Sequence, residues 1–78
     1  MELWIRSQDK EVLVKVNDIA VEMNMIYGYY DKNTEYEFLG AYSTKERALE
    51  VLDEIQDLMR SLCDSDLKII QYEMPKEW

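Results

Sequence analysis

Histidine is absent from the 78-residue chain, and cysteine and proline occur once each, as Cys63 and Pro75. Without imidazole there is no Ser-His-Asp or Cys-His nucleophile, and no zinc site that relies on histidine. One cysteine cannot form an internal disulfide, and beside the end of a helical pattern Cys63 reads as a small apolar residue. The only glycines, Gly28 and Gly40, are too far apart for a glycine-rich phosphate loop. Basic residues are also few, nine against 17 acidic ones for a net charge of −8, and they are scattered along the chain. That argues against nucleic-acid binding. No apolar run reaches membrane-spanning length, and Met1-Glu2-Leu3-Trp4-Ile5-Arg6 lacks the basic start and apolar run of a signal peptide. The expectation is a cytoplasmic protein with a reduced thiol, no membrane partner, no cofactor and no metal.

What is present is a large apolar fraction. Hydrophobic residues make up 47% of the chain, enough to exclude intrinsic disorder despite the charge. The expectation is a single α+β domain spanning 1–78, near the lower size limit for folding without a staple. Association into a dimer or higher homo-oligomer is one way for so small a core to gain stability.

Alternation of apolar and polar residues marks the strands. Leu3 to Gln8 reads as the first, with Leu3, Ile5 and Ser7 on one side and Trp4, Arg6 and Gln8 on the other. A polar turn, Gln8-Asp9-Lys10-Glu11, leads to Val12, Val14 and Val16 on one face of a second strand. From Ile19 to Tyr30 a long alternating run places Ile19, Val21, Met23, Met25, Tyr27 and Tyr29 at one parity. It is either one bent strand or two, with Asn24 or Gly28 as the break. Asp31-Lys32-Asn33-Thr34 is a turn, and Glu35 to Tyr42 alternates again, so two tyrosine-rich strands should pair with rings opposite one another.

Helical periodicity then takes over from about Thr44 to Leu62. Ser43-Thr44-Lys45-Glu46 reads as a capping box with Ser43 as N-cap. Ala48, Leu52, Ile55, Met59 and Leu62, flanked by Val51 and Leu58, form an apolar stripe; Glu46, Glu50, Asp53 and Asp57 form an acidic one. Leu49 lies outside the apolar stripe. After Cys63-Asp64-Ser65-Asp66, a last strand runs from Leu67 to Met74 and is stopped by Pro75. The expected architecture is a four- to five-stranded, mostly antiparallel sheet on one amphipathic helix, in the order β-β-β-β-α-β.

One helix cannot cover the apolar surface of such a sheet. Large groups occupy both parities: Trp4 and Ile5, Leu13 and Val14, Tyr29 and Tyr30, Ile69 and Ile70. Either the sheet curls into a partial barrel, or its second face meets another subunit, or it binds a ligand.

Two sets of residues could hold a ligand. Trp4, Tyr27 and Tyr29 belong to an aromatic surface suited to a planar ring, although tyrosine also simply suits strands. Tyr42, Ser43 and Thr44 offer hydroxyls at a helix start, with Lys45 and Arg47 in the first turn and Arg6 able to approach, an arrangement suited to phosphate. An ordinary capped helix with surface basic residues would look the same. The carboxylate pairs Glu35/Glu37 and Asp53/Asp57 read as solvated faces, and Asp64-Ser65-Asp66 falls short of a calcium loop. No catalytic constellation emerges, so an enzyme is not expected.

Trp4-Ile5-Arg6-Ser7-Gln8-Asp9, running into Leu13-Val14, resembles the opening of a family of small proteins of phages and prophages of Gram-positive bacteria. Leu39-Gly40-Ala41-Tyr42-Ser43-Thr44-Lys45-Glu46-Arg47-Ala48-Leu49-Glu50-Val51-Leu52-Asp53-Glu54-Ile55 is similar to the same family, and Gln71-Tyr72-Glu73-Met74-Pro75 also fits. The family brings no active site to transfer. The resemblance implies a role in the host bacterial cytoplasm against anti-phage defence. It points to an oligomer that sequesters a nucleotide immune signal, a cyclic ADP-ribose isomer or a cyclic dinucleotide. Aromatic side chains would stack on the base, and Arg6, Ser43, Thr44 or Arg47 would meet the phosphates. The alternatives are an acidic inhibitor or adaptor that mimics DNA through Glu46, Glu50, Asp53 and Asp57, and an accessory phage protein.

Overall fold

The structure, a computed structural model, describes residues 2–31, 35–62, 66 and 68–77. Six strands and one helix follow in the order β1 (Glu2–Arg6), β2 (Leu13–Val16), β3 (Asp18–Glu22), β4 (Met25–Asp31), β5 (Glu35–Ala41), α1 (Lys45–Leu62) and β6 (Ile69–Glu73). The α+β class is as expected, with one amphipathic helix before the last strand. The strands divide between two three-stranded sheets, ordered β2-β1-β6 and β3-β4-β5. All neighbours are antiparallel except β1 and β6, which run parallel with Leu3 facing Ile70 and Ile5 facing Tyr72.

The extra strand comes from the 19–30 run, which breaks at Met23-Asn24. Glu22 pairs with Met25, so the connection is a two-residue turn, and Met23 takes a positive φ of 58°. Asn24 secures the turn from outside: its Nδ2 donates to Tyr42 O at 2.7 Å and its carbonyl accepts from Tyr42 N–H. A two-residue turn also exchanges parity between the strands it joins. Ile19 pairs with Gly28 and Val21 with Ile26, on the face that packs into the core. Met25, Tyr27 and Tyr29 therefore share the opposite face with Ala20 and Glu22, and not with Ile19 and Val21 as unbroken alternation would have it.

The core lies between the sheets and under the helix. Leu3, Ile5, Val16 and Ile70 enter it from one sheet, Ile26 and Leu39 from the other, and Ala48, Val51 and Ile55 from α1. The sheets pack tightly at Gly28, where a Cβ would lie 2.6 Å from Val16 Cγ1 and 3.1 Å from Leu39 Cδ1. No side chain fits there, which explains a glycine in the middle of a strand.

At the helix start the N-cap is Thr44, one residue later than the capping-box reading placed it. Thr44 Oγ1 accepts from the backbone N–H of Arg47 at 3.1 Å, and Thr44 O from that of Ala48. Leu49 is exposed, as are Glu46, Glu50, Asp53 and Asp57. Met59 is exposed as well, because the buried line runs through Ala48, Val51 and Ile55 and rotates away from it. Among the described residues, no helix is long and apolar enough to cross a membrane. The readings of Cys63, Asp64-Ser65 and Trp78, and of the turn residues Lys32-Asn33-Thr34, lie outside the described residues.

Candidate functional site, an aromatic face on the second sheet

The β4–β5 pairing gathers the aromatic residues. Tyr29 lies opposite Tyr36 and Tyr27 opposite Phe38, so four rings occupy adjoining positions on the face away from the core. A register shift between Ile26 and Tyr27 helps to set this arrangement. Ile26 faces Gly40 while Tyr27 faces Phe38, leaving Leu39 as the extra residue. The bulge lets Leu39 turn inward, fully buried, while Phe38 remains outside.

The rings contact one another edge to face. Tyr27 and Tyr36 have centroids 5.6 Å apart at 85°, Tyr27 and Phe38 are 5.7 Å apart at 66°, and Tyr29 and Tyr36 are 5.7 Å apart at 43°. Such pairs hold each other in place and leave their outer surfaces free. Tyr36 is 59% exposed and Phe38 46%. Beside them Glu22, Tyr27, Tyr29 and Tyr36 line a hollow of about 310 Å³. Glu22 is the charged member of that lining, so the hollow offers ring surface and a hydrogen-bond acceptor and would repel a phosphate.

The eight residues expected at a ligand site fall into three places. Tyr27 and Tyr29 belong to this face. Trp4 and Arg6 lie on the outer face of the other sheet, where Trp4 Nε1 donates to Glu2 Oε1 at 3.1 Å and Arg6 Nε to Lys10 O at 3.0 Å. Tyr42, Ser43, Thr44 and Arg47 do gather at the helix start, with Ser43 and Thr44 exposed. Among the described residues, no hydrogen bond or ion pair brings Arg6 to that group.

The helix-start cluster is occupied by the chain itself. Arg47 Nε donates to Glu77 Oε1 at 3.0 Å, its Nη2 pairs with Glu77 Oε2, and its Nη1 meets Glu50 Oε1 at 3.1 Å. These carboxylates raise the guanidinium's already high pKa, and Arg47 in turn holds the Glu77 carboxyl below its ordinary value. Tyr42 is buried and donates to Pro75 O at 3.0 Å; burial, then the nearby Glu77 charge, push its hydroxyl up to about 12. Tyr72 is raised too, by burial and by Glu54, whose carboxylate accepts its O–H at 3.3 Å. Both hydroxyls therefore stay protonated at neutral pH and serve as donors, not as bases.

Sequence reasoning missed Gln8 and Ser7, which it left in a polar turn and at a strand end. Both are buried. The Gln8 amide joins Ala41 to the C-terminal segment, with Nε2 donating to the carbonyls of Ala41, Pro75 and Glu77. Ser7 Oγ donates to Asp9 Oδ1 and accepts from Val12 N–H at 3.1 Å, closing the β1–β2 loop. The usable signal was a strand alternation that carries Ser7 to the buried side, on into a run of polar residues.

Taken together, these features define a small α+β protein with two packed three-stranded sheets and an exposed aromatic array on one of them. The chain belongs to the family of a domain of unknown function, DUF7336, which matches residues 25–78 and so takes in β4, β5, α1 and β6. The four rings fall within the matched region. No curated protein and no solved structure matches the chain.

Proposed function

We propose that this protein is a binding protein, not a catalyst, and that its working surface is the aromatic face of β4 and β5. The observation that carries this reading is the exposed ring array of Tyr27, Tyr29, Tyr36 and Phe38 beside a hollow rimmed by Glu22. Ring faces stack on a nucleobase with little entropic cost, and a carboxylate at the rim accepts from an exocyclic amino group. A nucleotide-derived signal is the ligand class that suits both the array and the phage-family resemblance. Sequestering such a signal in the host cytoplasm would blunt anti-phage defence.

Among the described residues, no lysine or arginine lines the hollow beside this face, and Arg47 is already committed to Glu50 and Glu77. The phosphates are met instead by a second copy, so the working form is a homo-oligomer. Thermal melts with ADP-ribose isomers and with cyclic dinucleotides test this. A rise in melting temperature with one class, lost in Tyr36→Ala, supports it, and no rise with any of them overturns it. The acidic alternative has one favourable observation, the exposure of Glu46, Glu50, Asp53 and Asp57 along α1. It predicts instead that reversing those charges abolishes function with no small molecule involved.

A further inference from the structure

A second surface lies apart from the ring face. Between the start of β3 and α1, with Leu3 of β1 at its floor, lies a groove of about 390 Å³. Its walls are apolar, made by Leu3, Ile19, Leu52, Ile55 and Met59, and its charged lining residues are Asp18 and Asp53, with Asn17 and Gln56 between. Leu3 and Ile55 are buried at the bottom, Ile19 and Leu52 are half-buried, and Met59 and both aspartates are exposed. Among the described residues, no lysine or arginine lines the groove.

From this geometry we infer that the groove is a docking site for a basic protein segment, one that presents an apolar side chain beside a lysine or arginine. The apolar walls can take up a leucine-sized or larger side chain. Asp53, exposed on α1 at the groove, is placed to meet a cation beside that side chain; Asp18 lines the groove from the start of β3, but its pairing with Tyr29 turns its side chain toward the ring face. A net charge of −8 steers such a segment toward the protein, and Asp53 sets where its cation docks. An acidic or uncharged segment would bury the same apolar surface but leave the Asp53 carboxylate unpartnered.

The test uses the full chain and a fluorescein-labelled helical peptide of alternating Leu- and Lys-bearing turns, followed by anisotropy at low salt. Two control peptides carry Glu for Lys, or Ser for Leu. The Leu/Lys peptide is expected to bind, with both controls at least about tenfold weaker. Asp53→Lys should weaken binding by about tenfold, whereas Glu35→Lys, an equal charge change on β5, should cost about twofold or less. Met59→Ser should weaken it without altering the melting temperature by more than a few degrees, and Tyr36→Ala should leave it unchanged. The inference fails if the Leu/Lys peptide does not bind, if Glu35→Lys weakens binding as much as Asp53→Lys, or if the Glu-bearing peptide binds as well. Loss in Tyr36→Ala would reassign the contact to the ring face and also overturn it. Nucleotide melts are read separately, so failure here leaves the ring-face reading standing.

Discussion

The side chain of Gln8 pairs with the backbone of Ala41 as a neighbouring strand would. Its Nε2 donates to Ala41 O at 2.9 Å, and its Oε1 accepts from Ala41 N–H at 3.0 Å. The backbone N–H of Gln8 adds a third link, to Leu39 O at 2.7 Å. One residue after Ser7 in the β1–β2 loop thus caps the edge of β5, joins the two sheets, and turns part of an open ladder into a satisfied one. Gly40 is part of the arrangement. A Cβ there would lie 3.1 Å from Gln8 Cβ and 3.2 Å from its Oε1.

Removing the Gln8 amide should therefore cost far more than a change in a polar turn. Gln8→Ala leaves the Ala41 N–H and carbonyl without their partner and removes one of the ties on the 75–77 segment, a loss of about 2–4 kcal/mol in urea unfolding. Gln8→Glu should be no better at neutral pH. It keeps an acceptor for Ala41 N–H but sets a carboxylate against the carbonyls of Ala41, Pro75 and Glu77. Its stability should recover in part as acid protonates the side chain and restores one donor. A Gln8→Glu protein as stable as the parent would show that the amide bridge is dispensable.

Gly28 and Val16 pack against each other across the two sheets. Gly28→Ala should destabilise by about 1–3 kcal/mol, because the β-branched, buried Val16 cannot swing its methyl away. Val16→Ala on its own opens a cavity. The double variant should be more stable than the sum of the single losses predicts, and a double-mutant cycle in chemical denaturation measures that coupling. Strict additivity would place the strain elsewhere.

The contrast between these two sites shows what a sequence pattern can carry. Alternation and periodicity were sufficient for the α+β class, for α1, and for the pairing of two tyrosine-rich strands, since each follows from side chains on one element. Asn24 was one of the two breaks the pattern offered, and the chain does turn there; the parity exchange that comes with it was not legible, because it depends on Met23 taking a positive φ in a turn without glycine. The division into two sheets falls instead at Asn17, between β2 and β3, which follow one another in the chain without pairing. The Gln8–Ala41 bridge spans 33 residues, and a glutamine in a polar run gives no sign that its amide will serve as a strand. The ring face was half legible. Tyr27 and Tyr29 could be singled out, but Tyr36 and Phe38 joined them only through register, and Arg47 was lost to Glu77, a partner 30 residues away.

Tyr42 and Tyr72 predict how the fold responds to alkali. Their hydroxyls ionise at higher pH folded than unfolded, Tyr42 at about 12 against an ordinary value of 10.0. A group raised in this way contributes stability that is complete below pH 10 and lost as the pH climbs toward 12. An ultraviolet titration should show Tyr42 and Tyr72 ionising only as the far-ultraviolet circular dichroism collapses. Tyr42→Phe loses the bond to Pro75 O but should shift the alkaline midpoint upward.

Acid should act on the other end of the same segment. Arg47 holds the Glu77 carboxyl below its ordinary 4.5, so the pairing is complete above that pH and is lost as the pH falls through the lower, folded value. Backbone amide resonances of residues 76 and 77 should move in that window in the parent and stay put in Glu77→Gln. Because both side chains reach solvent, the effect is expected in the position of the tail and hardly at all in the melting temperature.

Glu22 tests the ring face most directly, because it separates base recognition from simple stacking. Its side chain is exposed at the end of β3, so Glu22→Gln should change stability by less than about 0.5 kcal/mol. If the carboxylate accepts from a base amino group, replacing it by a neutral amide weakens a charged hydrogen bond, worth about 1.5–3 kcal/mol when intact. Adenine-bearing ligands should then lose about tenfold or more in affinity, while hypoxanthine-bearing analogues, which lack the amino group, should bind weakly to the parent and be indifferent to the substitution. Tyr36→Ala must weaken both, since stacking does not read the ring edge. Equal loss of adenine and hypoxanthine ligands in Glu22→Gln would mean that Glu22 acts only through its charge, and the base-edge contact would have to be abandoned even if the rings bind.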